Sequence, residues 1–495
     1  MNNLSAETLA AIKEAQKNAS AELMKAWTQS ASAIQGLTAY DLEAPAKLLY
    51  PVITPLRNST PRVSGRGGIQ ANWRSITGIN ITGMSPGVGQ GNRSGVITTS
   101  TANNIAAYAS LGLEDNVTFE ADYAAEGFDD VKARAVEGLL RSLMIGEEKL
   151  ILGGDASLAL ATTPTPSLVA GTAGSLATDV DYSVICVALT LEGFLNASVA
   201  GGILAAVART NADGSVDNYG GGSAQKSANA TVSVTGPNGS ISATVAQVRG
   251  AVAYAWFWSP SAGTEILGLI TTINSALITA TATGTQTAAS LPASDNSRNV
   301  LVFDGLLTQV FTVANNGYFS AQPTGVAGTG TPLTSDGAGG IVELDVALKS
   351  FWDTSRLSPT AIYVSSQEIQ NITKKVLAGA VNSAQRFVFD SKQGMIAGGT
   401  LVRSYLNKFA MDGAQEIPVK LHPNMPAGTM LFDTDVLPYP LSNVTNVKQI
   451  RARRDYYQIE WPLRTRKYEY GVYADEVLQN YFVPAFGSIT NIGNG

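Results

Sequence analysis

The stretch at residues 128–155, FDDVKARAVEGLLRSLMIGEEKLILGGD, constrains this chain more than any other. Phe128, Val131, Ala135, Leu139, Leu143 and Leu150 recur at helical spacing, with Val136, Leu140, Met144 and Ile151 on the adjoining stripe. Asp129 and Asp130 stand where an N-cap and a first-turn acid belong, Lys149 falls in the last turn, and Gly153-Gly154 closes the run. About 25 helical residues at a rise of about 1.5 Å give a rod of roughly 37 Å. The chain before the rod reads as arm-like, and the chain after it as compact. That layout suggests a structural subunit; a core helix of an ordinary enzyme is the plainer alternative.

Ahead of the rod, Leu9, Ile12, Ala19, Leu23, Ala26 and Trp27 share one face of a short helix that Ser5 is placed to cap. From residue 30 to 61 the chain is irregular, with Pro45, Pro51, Pro55 and Pro61 forbidding a helix. Leu48, Leu49, Tyr50, Val52, Ile53 and Leu56 are too apolar for a solvated tail, so residues 1–61 read as an arm that packs on a partner subunit. Residues 62–122 read as a long hairpin. Ile69, Ala71 and Trp73 alternate with Gln70, Asn72 and Arg74 as in a half-buried strand, and a return strand is expected over 106–113 and 117–121. The glycine-rich tip at 83–95 is no phosphate loop: no helix follows it, and no lysine lies between Lys47 and Lys132. A hairpin with so little core of its own is stable only against neighbours.

After the rod and its exit (123–162) the composition shifts. Residues 163–296 hold only ten charged side chains, and apolar runs at 182–191, 231–234, 240–246, 251–258 and 267–281 predict short strands. Asn238-Gly239 marks a tight hairpin turn. The run Ala251-Val252-Ala253-Tyr254-Ala255-Trp256-Phe257-Trp258 is similar to a central strand of immunoglobulin-like domains, so 163–296 is expected to be an independently folded β-sandwich insertion. Residues 297–445 alternate helix and strand: Ile341, Leu344, Leu348 and Trp352 form one helix face, 361–364 a strand, and Ser365-Ser366-Gln367-Glu368 a capping box ahead of Ile369, Ile372, Val376 and Leu377, with Gly379 closing the helix. Strands follow at 417–421 and 429–432. Residues 446–495 read as a β-ribbon, 456–461 facing 467–473 across Pro462.

The candidate chemistry is thin. A net charge of −6 argues against a dedicated nucleic-acid binder. A single cysteine, Cys186, and a single histidine, His422, exclude an intrachain disulfide and multi-cysteine or multi-histidine metal sites. No apolar run is long enough to span a membrane, and the N-terminus lacks the pattern of a secretory signal, so the sequons at Asn58, Asn80, Asn116 and Asn229 are not expected to carry glycans. His422 reads as a turn residue beside Pro423 rather than a catalytic base; Asp433 and Asp435 form a lone DxD, a common pre-turn pattern that also suits calcium or a sugar nucleotide. Glu147 and Glu148, adjacent on the rod, read as a solvated or interface face. The basic run Lys448, Arg451, Arg453, Arg454, Arg464, Arg466 and Lys467 is interleaved with Asp455, Glu460 and Glu469, which favours pairing between subunits over neutralising DNA. No catalytic, cofactor or metal residue is assigned.

In order, the arm, the hairpin, a rod ending in Gly-Gly, a mixed lobe and a late ribbon resemble the major capsid proteins of tailed double-stranded-DNA bacteriophages. The motifs that carry the resemblance are YDLEAPAKLLYPVITPLR at 40–57, GEEKLILGGD at 146–155 and HPNMPAGTMLF at 422–432. The resemblance implies an α+β fold of N-terminal arm, extended loop, spine helix, peripheral domain and axial domain, here with the immunoglobulin-like β-sandwich inserted at 163–296. The axial domain would be 297–445, and 446–495 the peripheral ribbon. It implies pentamers and hexamers closing into an icosahedral head around packaged, non-specifically lined DNA. Portal, scaffolding or decoration proteins would be partners, with assembly in the bacterial cytoplasm, no membrane and no enzymatic activity. Leu49, Tyr50, Arg57, Ile69, Trp73, Arg93, Arg451, Arg454 and Arg464 are the expected assembly contacts. A β-rich tail, tube or surface-layer protein is the alternative, and a glycan hydrolase would need a carboxylate pair that the sequence does not display. Some members of this family join subunits by a bond from a loop lysine; the lysine-free loop here leaves only arginines, whose guanidinium stays protonated, so the shell is expected to be noncovalent.

Overall fold

The computed structural model describes residues 49–127, 129–378, 402–411 and 413–495. The expected N-terminal helix, most of the arm, Phe128 and Gly379 lie outside the described residues. The described chain forms two compact units, 49–51 with 118–132, and 52–117 with 133–495.

In the first unit the strand expected at 117–121 gives way to a helix, Phe119–Ala125. Thr118 stops the strand because its hydroxyl accepts the Ala121 N–H at 3.2 Å, and Glu120 and Asp122 sit in the first turn where the helix dipole favours acids. Leu49 and Tyr50 are exposed.

The rod is the helix Val131–Gly153, 23 residues long. Leu139, Leu143, Ile151 and Leu152 are buried, so the apolar stripe is covered mainly along its second half. Gly154 ends it where the chain at 303–305 returns. A Cβ there would press on the Phe303 carbonyl, and Gly305 N–H donates to the Gly154 carbonyl at 2.9 Å.

Residues 167–278 build a separate two-stranded pair, Ala206–Thr210 with Val216–Gly220, and two facing sheets. One has the order Ser275–Ile278, Gly239–Thr244, Ser167–Leu176; the other Ile266–Thr271, Ala253–Ser259, Val180–Leu189, Ala230–Val234. Leu176, Tyr182, Cys186, Ile241, Trp256 and Ile278 share the core between them, and the Trp256 indole N–H donates to Thr271 Oγ1 at 2.9 Å. The outer face of the four-stranded sheet is buried too, by Ile203, Ala288 and Leu291 over Val187, Phe257 and Leu267. Burial on both faces is why 184–189 and 253–258 read as continuous apolar runs. Two expectations are corrected here. The run at 267–281 is two strands in different sheets, because Asn274 turns the chain, its backbone held by Asn491 and its amide by the Val245 carbonyl. Asn238 has the expected positive φ of 62°, yet its turn carries the chain from one sheet to the other rather than closing a hairpin. Gly268 lies under the Trp258 ring, which fills the space a side chain would need. Gly268→Ala is therefore expected to cost about 1–3 kcal/mol by overpacking, read as a lowered urea midpoint; an unchanged midpoint would show that the ring moves freely.

A six-stranded mixed sheet follows, in the order Tyr318–Ala321, Gly487–Thr490, Met430–Asp433, Ala361–Val364, Gly413–Leu421, Ser404–Ala410. The helix Val342–Ser355 buries Leu344, Ala347, Leu348 and Phe351, with Trp352 only partly covered. The Ser365 hydroxyl accepts the Glu368 N–H at 3.3 Å, but the Glu368 carboxylate turns to Asn371 and the Gly428 N–H, so only half of the expected capping box forms. Gly487–Thr490, within the stretch read as ribbon and terminus, is an inner strand of this sheet.

The ribbon strands Lys448–Glu460 and Lys467–Asn480 pair antiparallel, with Tyr457 opposite Tyr473. Arg62–Ser64 adds on one edge and Ala109–Thr118 on the other. The hairpin pairs Gln70–Ile79 with Thr99–Ala107. The return strand expected at 106–113 is split at Tyr108, where the chain leaves the hairpin for the ribbon; there the Tyr108 N–H reaches the Ile69 carbonyl and its ring lies under Arg453.

Candidate assembly site

Two places in the second unit bear on assembly: the point where the arm enters, and the hairpin. The arm enters through a short helix, Pro55–Ser59, and the edge strand Arg62–Ser64. A five-residue helix cannot satisfy its own first N–H groups. Glu148, reaching from the rod, does so: its two carboxylate oxygens accept the Leu56 N–H at 2.9 Å and the Arg57 N–H at 2.7 Å. His422 completes the contact. Its Nδ1 accepts the Asn424 N–H at 3.2 Å, which leaves the proton on Nε2, 2.6 Å from Glu148 Oε1.

Beside it, Glu147 accepts Arg57 Nε at 2.8 Å and also receives Arg62 Nη1 and the Tyr456 hydroxyl. Arg62 spans three carboxylates, since its Nη2 also meets Asp455 at 2.7 Å and Glu476 at 2.5 Å. The Tyr456 ring lies 4.6 Å from the Arg62 guanidinium and 5.4 Å from that of Arg57. Glu147, Glu148 and Glu476 are all wholly buried. Three acids, Glu147, Glu476 and the more exposed Asp455, face the two guanidinium groups of Arg57 and Arg62, and the imbalance shows in Glu476. Burial and the Glu147 charge push its carboxyl up to about 8, against the pull of Arg62. Arg62 is itself held above its ordinary value: burial opposes its charge, but Asp455, Glu476 and Glu147 outweigh that cost. The reading of Glu147 and Glu148 as a solvated face is thus overturned. They grip the root of the arm.

The hairpin is the opposite case. Its base is seated: Ala71 is buried, and Trp73 meets Tyr481 edge-on at 6.1 Å between ring centroids. Beyond the base almost nothing is covered. Ile76 is 67% exposed, Ile79 72%, Ile105 67% and Val96 87%. Ile69, read as half-buried, is 79% exposed just outside the strand, and Arg93 is exposed at the tip.

The remaining residues expected at contacts divide. Arg57 is engaged within its own chain, as above. Arg451 donates to Gln479 Oε1 at 3.3 Å, and Arg454 lies 3.7 Å from the centre of the Tyr457 ring. Arg453 pairs with Asp475, and Lys448 is buried between Asp433 and Asp435, so much of the basic run is satisfied within the chain; Arg464 is exposed. The DxD pair thus holds a lysine ammonium. Among the described residues no group of three or more histidine, cysteine, aspartate or glutamate side chains is set to hold a metal ion, and no helix is long and apolar enough to cross a membrane.

No family model matches the sequence, and no curated protein matches it. Among solved structures the chain is similar to the cyanophage A-1(L) capsid asymmetric unit, at 12% identity and TM-score 0.42, over 93% of this chain and 97% of that one. It is similar to the capsid of the native GTA particle at 9% identity and TM-score 0.41, over 92% and 96%. The capsid of Myoviridae phage XM1 is similar at 10% identity and TM-score 0.39, over 91% and 95%.

Proposed function

We propose that this chain is the major capsid protein of a tailed double-stranded-DNA phage, and that many copies close into the icosahedral head. The observation that carries the reading is the hairpin of Gln70–Ile79 and Thr99–Ala107, whose isoleucines Ile76, Ile79 and Ile105, with Val88 and Val96 of its tip, are left exposed by the described residues. An isolated two-stranded hairpin is marginal in water, so this one is built to be covered. A second copy is the economical cover, since one repeated contact between identical subunits closes into rings of five and six. The knot around Arg57 and Arg62 supports the same reading, because it fixes the segment 55–62 on the rod and the ribbon. The two facing sheets within 163–296 fit an immunoglobulin-like inserted module, and the mixed sheet fits an axial domain. Portal, scaffolding or decoration proteins and the packaged DNA are the partners this role entails. The role places the chain in the virion shell, with assembly in the host cytoplasm.

Electron microscopy of the purified full chain tests the proposal. Closed hollow shells of fixed diameter support it; tubes or flat sheets point to a tail or surface-layer protein, and a small monomer under all assembly conditions overturns it. The double substitution Ile76→Asp with Ile105→Asp is expected to abolish shells while moving subunit stability by less than about 0.5 kcal/mol, as for exposed sites. Normal particles from that variant would remove the hairpin from the assembly. Because no lysine lies between Lys47 and Lys132, boiled particles are expected to run as one band near 51.6 kDa. A ladder of multimers would place a covalent link between subunits at some other lysine.

A further inference from the structure

The strand Met430–Asp433 and the ribbon strand Lys448–Glu460 meet at one buried point. The Lys448 side chain is 1% exposed; its Nζ touches Asp433 Oδ2 and lies 3.0 Å from Asp435 Oδ1. Asp433 is wholly buried, and its second oxygen, Oδ1, has no hydrogen-bond partner. The Phe486 ring lies 6.0 Å from Nζ, and Tyr363, in the adjacent strand, is itself buried. Asp435 differs from its neighbour. Its side chain is 43% exposed, so one carboxylate of the trio reaches solvent.

We propose that Lys448 and Asp433 become joined by an amide bond that the folded chain forms on itself, with Asp435 relaying the proton. The contact supplies what such a condensation needs. A proton passes from Nζ to Asp433 Oδ2 across their contact, giving a neutral amine beside a neutral acid. Burial disfavours both charges and pushes the Asp433 carboxyl up toward that protonated form. Asp433 and Asp435 nonetheless hold the Lys448 ammonium above its ordinary value, so the neutral pair is a minor state that the contact must trap. The Nζ lone pair attacks Cγ. Asp435 takes a proton from the nitrogen and returns it to the leaving Oδ2 hydroxyl. The Nζ–Cγ bond forms, the Cγ–Oδ2 bond breaks, and one water departs past Asp435; no oxidant or other reactant is required. Reacting groups held in contact have effective molarities of about 10⁵–10⁸ M, and the product removes two charges from an interior where both are costly. The link closes the loop at 434–447 and ties the root of the ribbon to the mixed sheet. It lies within one chain, so it leaves the gel band above unchanged and does not depend on what the subunits assemble into.

Mass spectrometry of the purified full-length protein tests this. The wild-type chain is expected to be lighter than its sequence by about 18 Da, one water. After denaturation, trypsin should fail to cut after Lys448 and release 421–451 as one peptide short of a water. A further cut after Leu441, between the two linked residues, should leave the halves joined. Lys448→Arg, which keeps the charge but cannot be acylated, and Asp435→Asn, which removes the relay, are both expected at full mass. Should Lys448→Arg fail to fold, the wild-type mass still decides. A wild-type chain of full sequence mass overturns the proposal. So does a mass short of water in which trypsin still cuts after Lys448, because an Asp-Gly pair such as Asp304-Gly305 can lose water alone.

Discussion

Replacing Glu148 with alanine is expected to destabilise the unassembled subunit by about 3–5 kcal/mol, the cost of breaking a buried charged contact from one side. Three donors depend on this carboxylate: the Leu56 and Arg57 N–H groups and His422 Nε2. Leu56 and His422 are buried, so their donors would lose the carboxylate away from solvent. The loss should fall first on the arm's root, because the helix Pro55–Ser59 would have its leading N–H groups uncapped. Glu148→Gln separates charge from shape. Its carbonyl oxygen can still accept, but its NH₂ must face one of the three donors, so it should recover only part of the loss. Urea denaturation of both variants measures this. A cost below about 1 kcal/mol for alanine would mean that water replaces the carboxylate, and that the knot does not hold the arm.

The rod, the ribbon and most strands between 167 and 278 were legible because each is governed by local periodicity. The rod's i, i+4 stripe runs through Leu139, Leu143 and Ile151, and Gly153-Gly154 ends it. The knot was not legible, because its partners lie far apart: 92 residues from Leu56 to Glu148, 274 from Glu148 to His422 and 414 from Arg62 to Glu476. One signal was present. Glu147 stands on the stripe between Leu143 and Ile151, and Glu148 four residues before the buried Leu152. An acid on the apolar face of a helix is either an error of phase or a buried ion pair, and here it is the second. The basic run at 448–467 misled for the converse reason. Its interleaved acids suggested pairing between subunits, but strand alternation and a bulge between Ala452 and Arg454 send several of its members to partners within the chain. The division of 267–281 between two sheets turns on Asn274, whose partners Val245 and Asn491 no local pattern reveals.

Raising the pH from about 5 to about 9 is expected to weaken the subunit through Glu476, by on the order of a few kcal/mol. The carboxyl sits in the ribbon facing Glu147 on the rod and Arg62 on the edge strand, and it shares Arg62 Nη2 with Asp455. Burial, then the Glu147 charge, raise it from 4.5 to about 8. Below 4.5 the folded and unfolded chains both hold the proton, and the contribution is complete. Between 4.5 and about 8 only the folded chain holds it, so each step up in pH favours unfolding; above that, both have lost it. Arg57 and Arg62 stay charged throughout. Asp455, held low because Arg62 and the Tyr456 N–H outweigh its partial burial, acts with the opposite sign and at lower pH, outside this window. Glu476→Gln carries no titrating proton and should show a flatter profile, with its largest gain over wild type at the alkaline end. Urea midpoints of the two unassembled proteins across that range decide the matter. Parallel profiles would mean that Glu476 is ionised in the fold and that Arg57 and Arg62 together balance Glu147, Asp455 and Glu476. A divergence would identify the joint of rod, arm and ribbon as the place where the subunit loosens when that proton is withdrawn.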